Sequence, residues 1–93
     1  MHRSSDSVWR LGASQTVAYT GTAGTSSAVG TQTYAVSITV TTAAFVSLTG
    51  TATTSDHFMA ANTPLIVQCS PGQTVSAIQS ATGGNLHITE LTH

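Results

Sequence analysis

The segment at residues 33–40, TYAVSITV, alternates apolar residues with small or hydroxyl-bearing residues at every second position. A period of two is typical of a β-strand that has one buried side and one side facing solvent. The rest of the chain is also rich in Val, Ile and Thr, whose branched side chains favour strands, and no window supports a helix of normal length. The pattern therefore predicts an all-β fold.

Similar short segments, separated by turn-forming residues, recur roughly every ten residues. The strands predicted from this pattern are residues 15–20, 33–40, 44–49, 64–69, 74–79 and 85–91. Residues 44–49 are expected to form a hairpin with residues 33–40, and TGGN at 82–85 is a two-glycine hairpin signal. SPGQ at 70–73 has Pro at the position that a type II turn prefers. The spacing predicts a small antiparallel β-sandwich or jelly-roll-like barrel of about six strands.

The chain has 93 residues, enough for one domain with a thin core. We assign residues 1–13 to an extended N-terminal arm and residues 14–93 to a single β-sandwich domain. The single cysteine, Cys69, excludes an intrachain disulfide and is expected to be a small core residue. The other residues predicted to form the core are Tyr34, Val36, Ile38, Leu65, Val67, Val75, Ile78, Leu86 and Ile88.

Charged residues make up 5% of the chain, against about 25% in an ordinary domain. Beyond Leu11 only Asp56 and Glu90 are charged, and the net charge of −1 is too small to steer binding to nucleic acid or to an anionic membrane. No apolar run approaches the roughly 20 residues of a membrane span, and the N-terminus lacks the apolar centre of a signal peptide. Ser and Thr supply about a third of the residues, and a hydroxyl surface costs little to desolvate against another protein. The composition therefore favours a protein that forms part of an assembly.

The chain offers few groups for catalysis. Asp56 and His57 are adjacent, so on an extended segment their side chains point apart, and we expect Asp56 to cap a loop or to be solvated. His87 is expected on the strand face opposite Glu90, which argues against a shared metal site. The glycines of GTAGTSSAVG, at 21–30, match no phosphate-loop spacing. We predict no enzymatic activity, no cofactor and no metal site.

Two binding classes need weighing. Thr-x-Thr motifs recur, as in ice-binding solenoids, but their intervals are irregular and a solenoid needs a fixed period. A carbohydrate-binding sandwich usually needs a platform of exposed aromatic rings, and the core is expected to claim several of the few aromatic residues here. These are Trp9, Tyr19, Tyr34, Phe45 and Phe58.

The arm at residues 1–13 has two interpretations. It is either a frayed terminus or a tether that orders on a partner. In the second case Trp9 and Arg10 are the expected interface anchors, because Trp and Arg are enriched at interface hot spots.

The order of elements resembles the small virion proteins of tailed bacteriophages. The first half carries SQTVAYTG, a Ser/Ala/Gly loop and then GTQTYAV; the second half carries FMAANTP, PGQ before a strand, and the terminal GGNLHITEL. The likeness covers about residues 10–92 and consists of turn and strand patterns.

The resemblance implies a small β-sandwich or jelly-roll-like subunit that is built into a phage particle in many copies. It implies a homotrimeric capsid decoration, or cement, protein of the phage head, which is made in the bacterial cytoplasm and bridges subunits of the major capsid protein. Partners would be the chain itself and the major capsid protein, with no nucleic acid and no membrane. The alternatives are a neck or tail ring component and a glycan- or host-binding module on the virion surface.

Overall fold

The computed structural model describes residues 10–92, which form eight β-strands and, within that range, no helix. In chain order the strands are β1 (Arg10–Tyr19), β2 (Gly24–Thr25), β3 (Ala35–Val40), β4 (Ala44–Ser47), β5 (His57–Met59), β6 (Leu65–Gln68), β7 (Ser76–Gln79) and β8 (Gly84–Thr92). The prediction of an all-β fold is thus confirmed for these residues.

The strands form two antiparallel sheets of four strands each. The first sheet has the order β1-β8-β3-β6 and the second the order β2-β7-β4-β5. The first strand of the chain pairs with the eighth, the second with the seventh, the third with the sixth and the fourth with the fifth. The chain therefore behaves as one long hairpin ribbon, which is folded so that β3 meets β8 and β4 meets β7. Every link except that between β4 and β5 passes from one sheet to the other.

The hydrophobic core contains alternate residues of the strands from both sheets. In the first sheet Ile38 lies opposite Ile88, and Val40 lies opposite Leu86. The buried cluster consists of Tyr19, Val29, Val36, Ile38, Val40, Ala44, Val46, Met59, Cys69, Val75, Ala77, Leu86 and Ile88. Leu65 and Val67 are partly buried against it. Most of the predicted core, including Cys69, is confirmed.

Two predicted core residues lie elsewhere. Tyr34 is 59% exposed, because β3 begins one residue later and Tyr34 does not share the strand alternation. Ile78 is only partly buried and pairs with Phe45 across β7 and β4, whereas its neighbour Ala77 is fully buried opposite Val46. Since successive side chains alternate between faces, Ile78 lies on the outer face. The size of the isoleucine side chain suggested a core residue, but the strand register decides otherwise.

The strand count is eight rather than about six, because two short strands lie inside predicted loops. Strand β2 has two residues and β5 has three, which is too short for any alternation to be recognised. Strand β1 also begins earlier than predicted, at Arg10, and includes residues 10–13 that we had assigned to the arm. It continues past Gly12 through a register irregularity between Leu11 and Ser14, since β8 supplies a partner on both sides of it.

Both predicted hairpins are wrong, since β3 and β4 lie in different sheets, as do β7 and β8. Adjacency in the chain suggested pairing, whereas these links turn the ribbon from one layer to the other. The type II turn at residues 70–73 is confirmed: Gln73 N donates to Ser70 O at 3.1 Å, and Gly72 has a φ of 83°.

Candidate interaction surfaces

The outer face of the first sheet carries hydroxyl groups in two cross-strand rows. One row runs Ser14, Thr89, Ser37 and the other runs Thr16, His87, Thr39. These six residues are called the hydroxyl face below. A hydrogen bond of 3.1 Å joins the hydroxyls of Ser14 and Thr89, and one of 3.3 Å joins Thr16 Oγ1 to His87 Nδ1. The hydroxyl face therefore carries hydroxyl groups and one imidazole, and the exposed Ile66 of β6, opposite Ser37, extends its first row.

Glu90 lies on the opposite side of β8 from His87, as predicted. Its Oε1 accepts hydrogen bonds from Gly30 N at 3.2 Å and from Thr33 Oγ1 at 2.5 Å. Thr33 is 1% exposed. The carboxylate is therefore used to hold the loop before β3 rather than to bind a partner.

Asp56 and His57 lie where the link between β4 and β5 ends and β5 begins. Asp56 Oδ2 accepts hydrogen bonds from Thr53 N at 2.7 Å and from Thr53 Oγ1 at 3.2 Å. This is the loop cap that we expected. His57 is exposed at the start of β5, an edge strand.

Of the two predicted interface anchors, Arg10 is the first residue that the structure describes. Arg10 is exposed and pairs with Thr92 at the end of the first sheet. Trp9 lies outside the described residues. Arg10, Asp56 and Glu90 are the charged residues of the described range, and each lies at an end or in a loop contact away from the hydroxyl face.

The outer face of the second sheet carries an apolar row formed by Phe58, Phe45 and Ile78 on adjacent strands. We call these three residues the aromatic row. The two phenyl rings lie edge to face, with centroids 5.6 Å apart and planes at 63°, a geometry that aromatic pairs prefer. Phe58 is 51% exposed.

The next part of the same outer face is already covered. Ser76 Oγ accepts a hydrogen bond of 2.9 Å from Ala52 N, and Ala52 is 3% exposed. The link between β4 and β5 therefore packs over Ser47 and Ser76, both of which are buried. The aromatic row is the part of this face that the link leaves open.

A cleft of about 300 Å³ lies just beyond the start of β4 and the end of β7. Ala43 and Ser80 line it, two residues before Phe45 and two after Ile78, and Ser80 N donates to Ala43 O at 3.1 Å. The remaining lining residues are Thr41, Thr42, Ala61, Ala81 and Thr82. The cleft is thus lined by methyl and hydroxyl groups and holds no charged side chain.

The edge strands of the two sheets are short or irregular. The edge strands β2, β5 and β6 have two, three and four residues, and the long edge strand β1 is irregular between Leu11 and Ser14. Short and irregular edges discourage pairing with another chain. The outer faces of the sheets are therefore better suited than the strand edges to contact other proteins.

The chemistry available at these surfaces is limited. Cys69 is buried, and burial followed by the nearby Glu90 carboxylate raises the pKa of its thiol, which favours the unreactive protonated form. Within residues 10–92 no three His, Cys, Asp or Glu side chains are grouped so that they could hold a metal ion. The same range contains no helix with the length and apolar character needed to cross a bilayer.

Comparison of the chain with protein-family models, with curated proteins and with solved structures found no match. The resemblance to phage virion proteins stays a prediction. The sequence alone assigns neither Phe45 nor Phe58 to a face of a sheet. The signal that could have placed Phe45 is its position between Ala44 and Val46, which fill the core from the other side of β4.

Proposed function

We propose that the protein is a structural subunit of a bacteriophage particle, specifically a homotrimeric decoration protein that binds the major capsid protein on the phage head. The observation that carries this proposal is the charge-free outer surface of both sheets. One face presents hydroxyl groups, and the other presents the aromatic row beside an uncharged cleft.

A charge-free surface favours burial against protein. Soluble domains ordinarily keep about a quarter to a third of their surface charged, which opposes association. Here a partner can cover the hydroxyl face without leaving an ionised group buried and unpaired, since neutral hydroxyls are cheap to desolvate when they find new hydrogen bonds. Binding of this kind stabilises a shell through covered area and requires no catalysis.

The strand order supports the same proposal. Two four-stranded sheets in the order β1-β8-β3-β6 and β2-β7-β4-β5 correspond to the jelly roll, in which one long ribbon wraps into a sandwich. Viral capsid domains use this architecture, but so do lectins and cupins. The fold is therefore compatible with a virion role, and the charge-free outer faces of the sheets favour that role over the others.

The aromatic row favours one alternative, a glycan-binding module on the virion surface. Phe45 and Phe58 form a small exposed ring cluster beside a cleft with hydroxyl groups, as a sugar site requires. Binding of a neutral oligosaccharide array, abolished by Phe58→Ala, would favour that alternative. The decoration role predicts no such binding.

Cosedimentation with phage capsids stripped of their accessory proteins tests the proposal directly. We expect the unchanged protein to sediment with the capsids at micromolar concentration. Thr39→Lys, on the β3 side of the hydroxyl face, should weaken binding by about tenfold or more, because it buries an unpaired charge. Ser55→Lys, on the exposed link between β4 and β5, adds the same charge elsewhere and should bind like the unchanged protein.

Light scattering of the purified protein gives the second measurement. A trimer agrees with the decoration role, whereas a larger closed ring would favour a neck or tail component. Failure of the unchanged protein to bind capsids would overturn the proposal.

A further inference from the structure

The hydroxyl face contains one side chain that can change its charge near neutral pH. His87 lies in the middle of its row, opposite Thr16 of β1 on one side and Thr39 of β3 on the other. It is exposed, and its Nδ1 lies 3.3 Å from Thr16 Oγ1. Imidazole is the side-chain group that ordinarily gains or loses its charge between about pH 5 and pH 8. The charge of this face therefore depends on the pH of the surroundings.

The neighbours of His87 on this face carry no charge. The residues that surround it on the outer side of β1, β8 and β3, and just after β3, are Ser14, Thr16, Ala18, Asn85, Thr89, Ser37, Thr39 and Thr41. None of these side chains titrates near neutral pH.

The charged groups of the described range lie elsewhere. Arg10 precedes Thr16 by six residues, or about 20 Å along β1. Glu90 points to the other side of β8, and Asp56 caps a loop next to the second sheet. A proton on His87 would therefore add a positive charge that no acidic side chain within residues 10–92 faces.

A protonated His87 would act in the same way as a lysine introduced at Thr39. The two residues are paired across β8 and β3, so their Cβ atoms are about 5 Å apart. A partner that covers the face would have to remove either charge from water without pairing it, which weakens binding. The neutral imidazole has no such cost, because its ring nitrogens exchange hydrogen bonds as a hydroxyl does.

We propose that protonation of His87 releases the hydroxyl face from its partner, so that the protein binds near neutral pH and dissociates in acid. The inference rests on the proposed function, in which the hydroxyl face binds the major capsid protein, and it adds the condition under which that contact opens. The direction follows from the charge. Covering the face favours the neutral ring, so binding is strong above the range in which imidazole titrates and is weakened as the pH falls through it.

Cosedimentation with stripped phage capsids at about pH 7.5 and about pH 5.5 compares the two charge states. We expect the unchanged protein to bind about tenfold or more weakly at the lower pH, as for an unpaired charge at an interface. His87→Gln keeps a neutral hydrogen-bonding side chain and should bind equally at both pH values. His87→Lys is charged at both and should bind weakly at both.

His57→Gln provides the matched control. His57 is an exposed histidine on β5, at the edge of the second sheet and away from the hydroxyl face. This variant should lose affinity at the lower pH as the unchanged protein does. Because the capsids titrate in the same way with every variant, the difference between His87→Gln and His57→Gln isolates the contribution of His87.

The same measurements separate this regulation from capsid binding itself. Equal binding of the unchanged protein at both pH values, or an acid loss that is undiminished in His87→Gln, would overturn the inference and leave the proposed function standing. Failure of the unchanged protein to bind at the higher pH would overturn both. Proton NMR of the free protein, with the His87 ring signal assigned by its absence from His87→Gln, should show that ring titrating in this interval. A ring that stays neutral at the lower pH would also overturn the inference.

Discussion

At the scale of single residues, Gly24 is the described glycine at which an added Cβ atom would meet the nearest neighbour. A Cβ atom at this position would lie 2.1 Å from Ala18 O and 2.9 Å from Val17 Cγ1. Strand β2 thus passes directly against β1 just after the ribbon turns from the first sheet into the second. The absence of a side chain at Gly24, and not an unusual backbone angle, permits this approach.

Gly24→Ala should therefore destabilise the fold. The neighbouring atom is backbone and cannot move aside, so we expect the free energy of unfolding to fall by about 3 kcal/mol, at the upper end for overpacking. Urea unfolding followed by circular dichroism measures the change. Gly21→Ala is the control, because its nearest atom is Gln79 Nε2 at 3.8 Å, and it should shift stability by no more than about 0.5 kcal/mol. Equal unfolding midpoints for the two variants would mean that β2 does not pack against β1 in this way.

At the scale of elements, the turns between layers are held by side chains rather than by local hairpins. Tyr19, at the end of β1, donates a hydrogen bond to Thr42 O at 2.6 Å and accepts one from Thr42 N at 3.2 Å. Thr42 Oγ1 in turn donates to Thr82 O at 2.9 Å. One network therefore joins the end of β1 to the β3–β4 and β7–β8 links.

Tyr19→Phe should remove the hydrogen bonds that join the end of β1 to Thr42. The variant keeps the buried ring but leaves the carbonyl and amide of Thr42 without this partner, which should lower the free energy of unfolding by about 2 kcal/mol. Tyr34→Phe removes the other tyrosine hydroxyl of the chain at a position 59% exposed, and it should be nearly neutral. If both variants unfold at the same denaturant concentration, Tyr19 does not hold the links in solution.

The sequence predicted the strands that alternate clearly, and it could not predict how they pair. Residues 33–40 showed which side chains of β3 enter the core, because the period of two is a local property. One partner of β3 is β8, some fifty residues away, and no local pattern encodes that choice. The pairing of Ile78 with Phe45 places Ile78 on the outer face of the second sheet. The aromatic row could therefore be recognised only after the register was known.

At the scale of the whole molecule, the charged side chains of the described residues lie away from the outer faces of the two sheets. The Asp56 carboxylate bonds within its own loop and the Glu90 carboxylate bonds to the loop before β3. The two outer faces present hydroxyls and apolar groups. Such a molecule has little long-range electrostatic repulsion to keep copies apart. Whether it associates depends on the covered area and on the fit of a few large side chains.

Self-association should consequently respond weakly to ionic strength. Between about 0.05 M and about 0.5 M sodium chloride the screening length falls several-fold, yet we expect the association constant to change by less than about threefold, because a contact between uncharged faces buries no ion pair. Sodium sulfate should strengthen association, since excluded salts favour burial of apolar surface. Sedimentation equilibrium in the two salts measures both effects. A steep loss of association in sodium chloride would instead assign the contact to charged groups, with Arg10 the first to replace, and would contradict an interface made by uncharged faces.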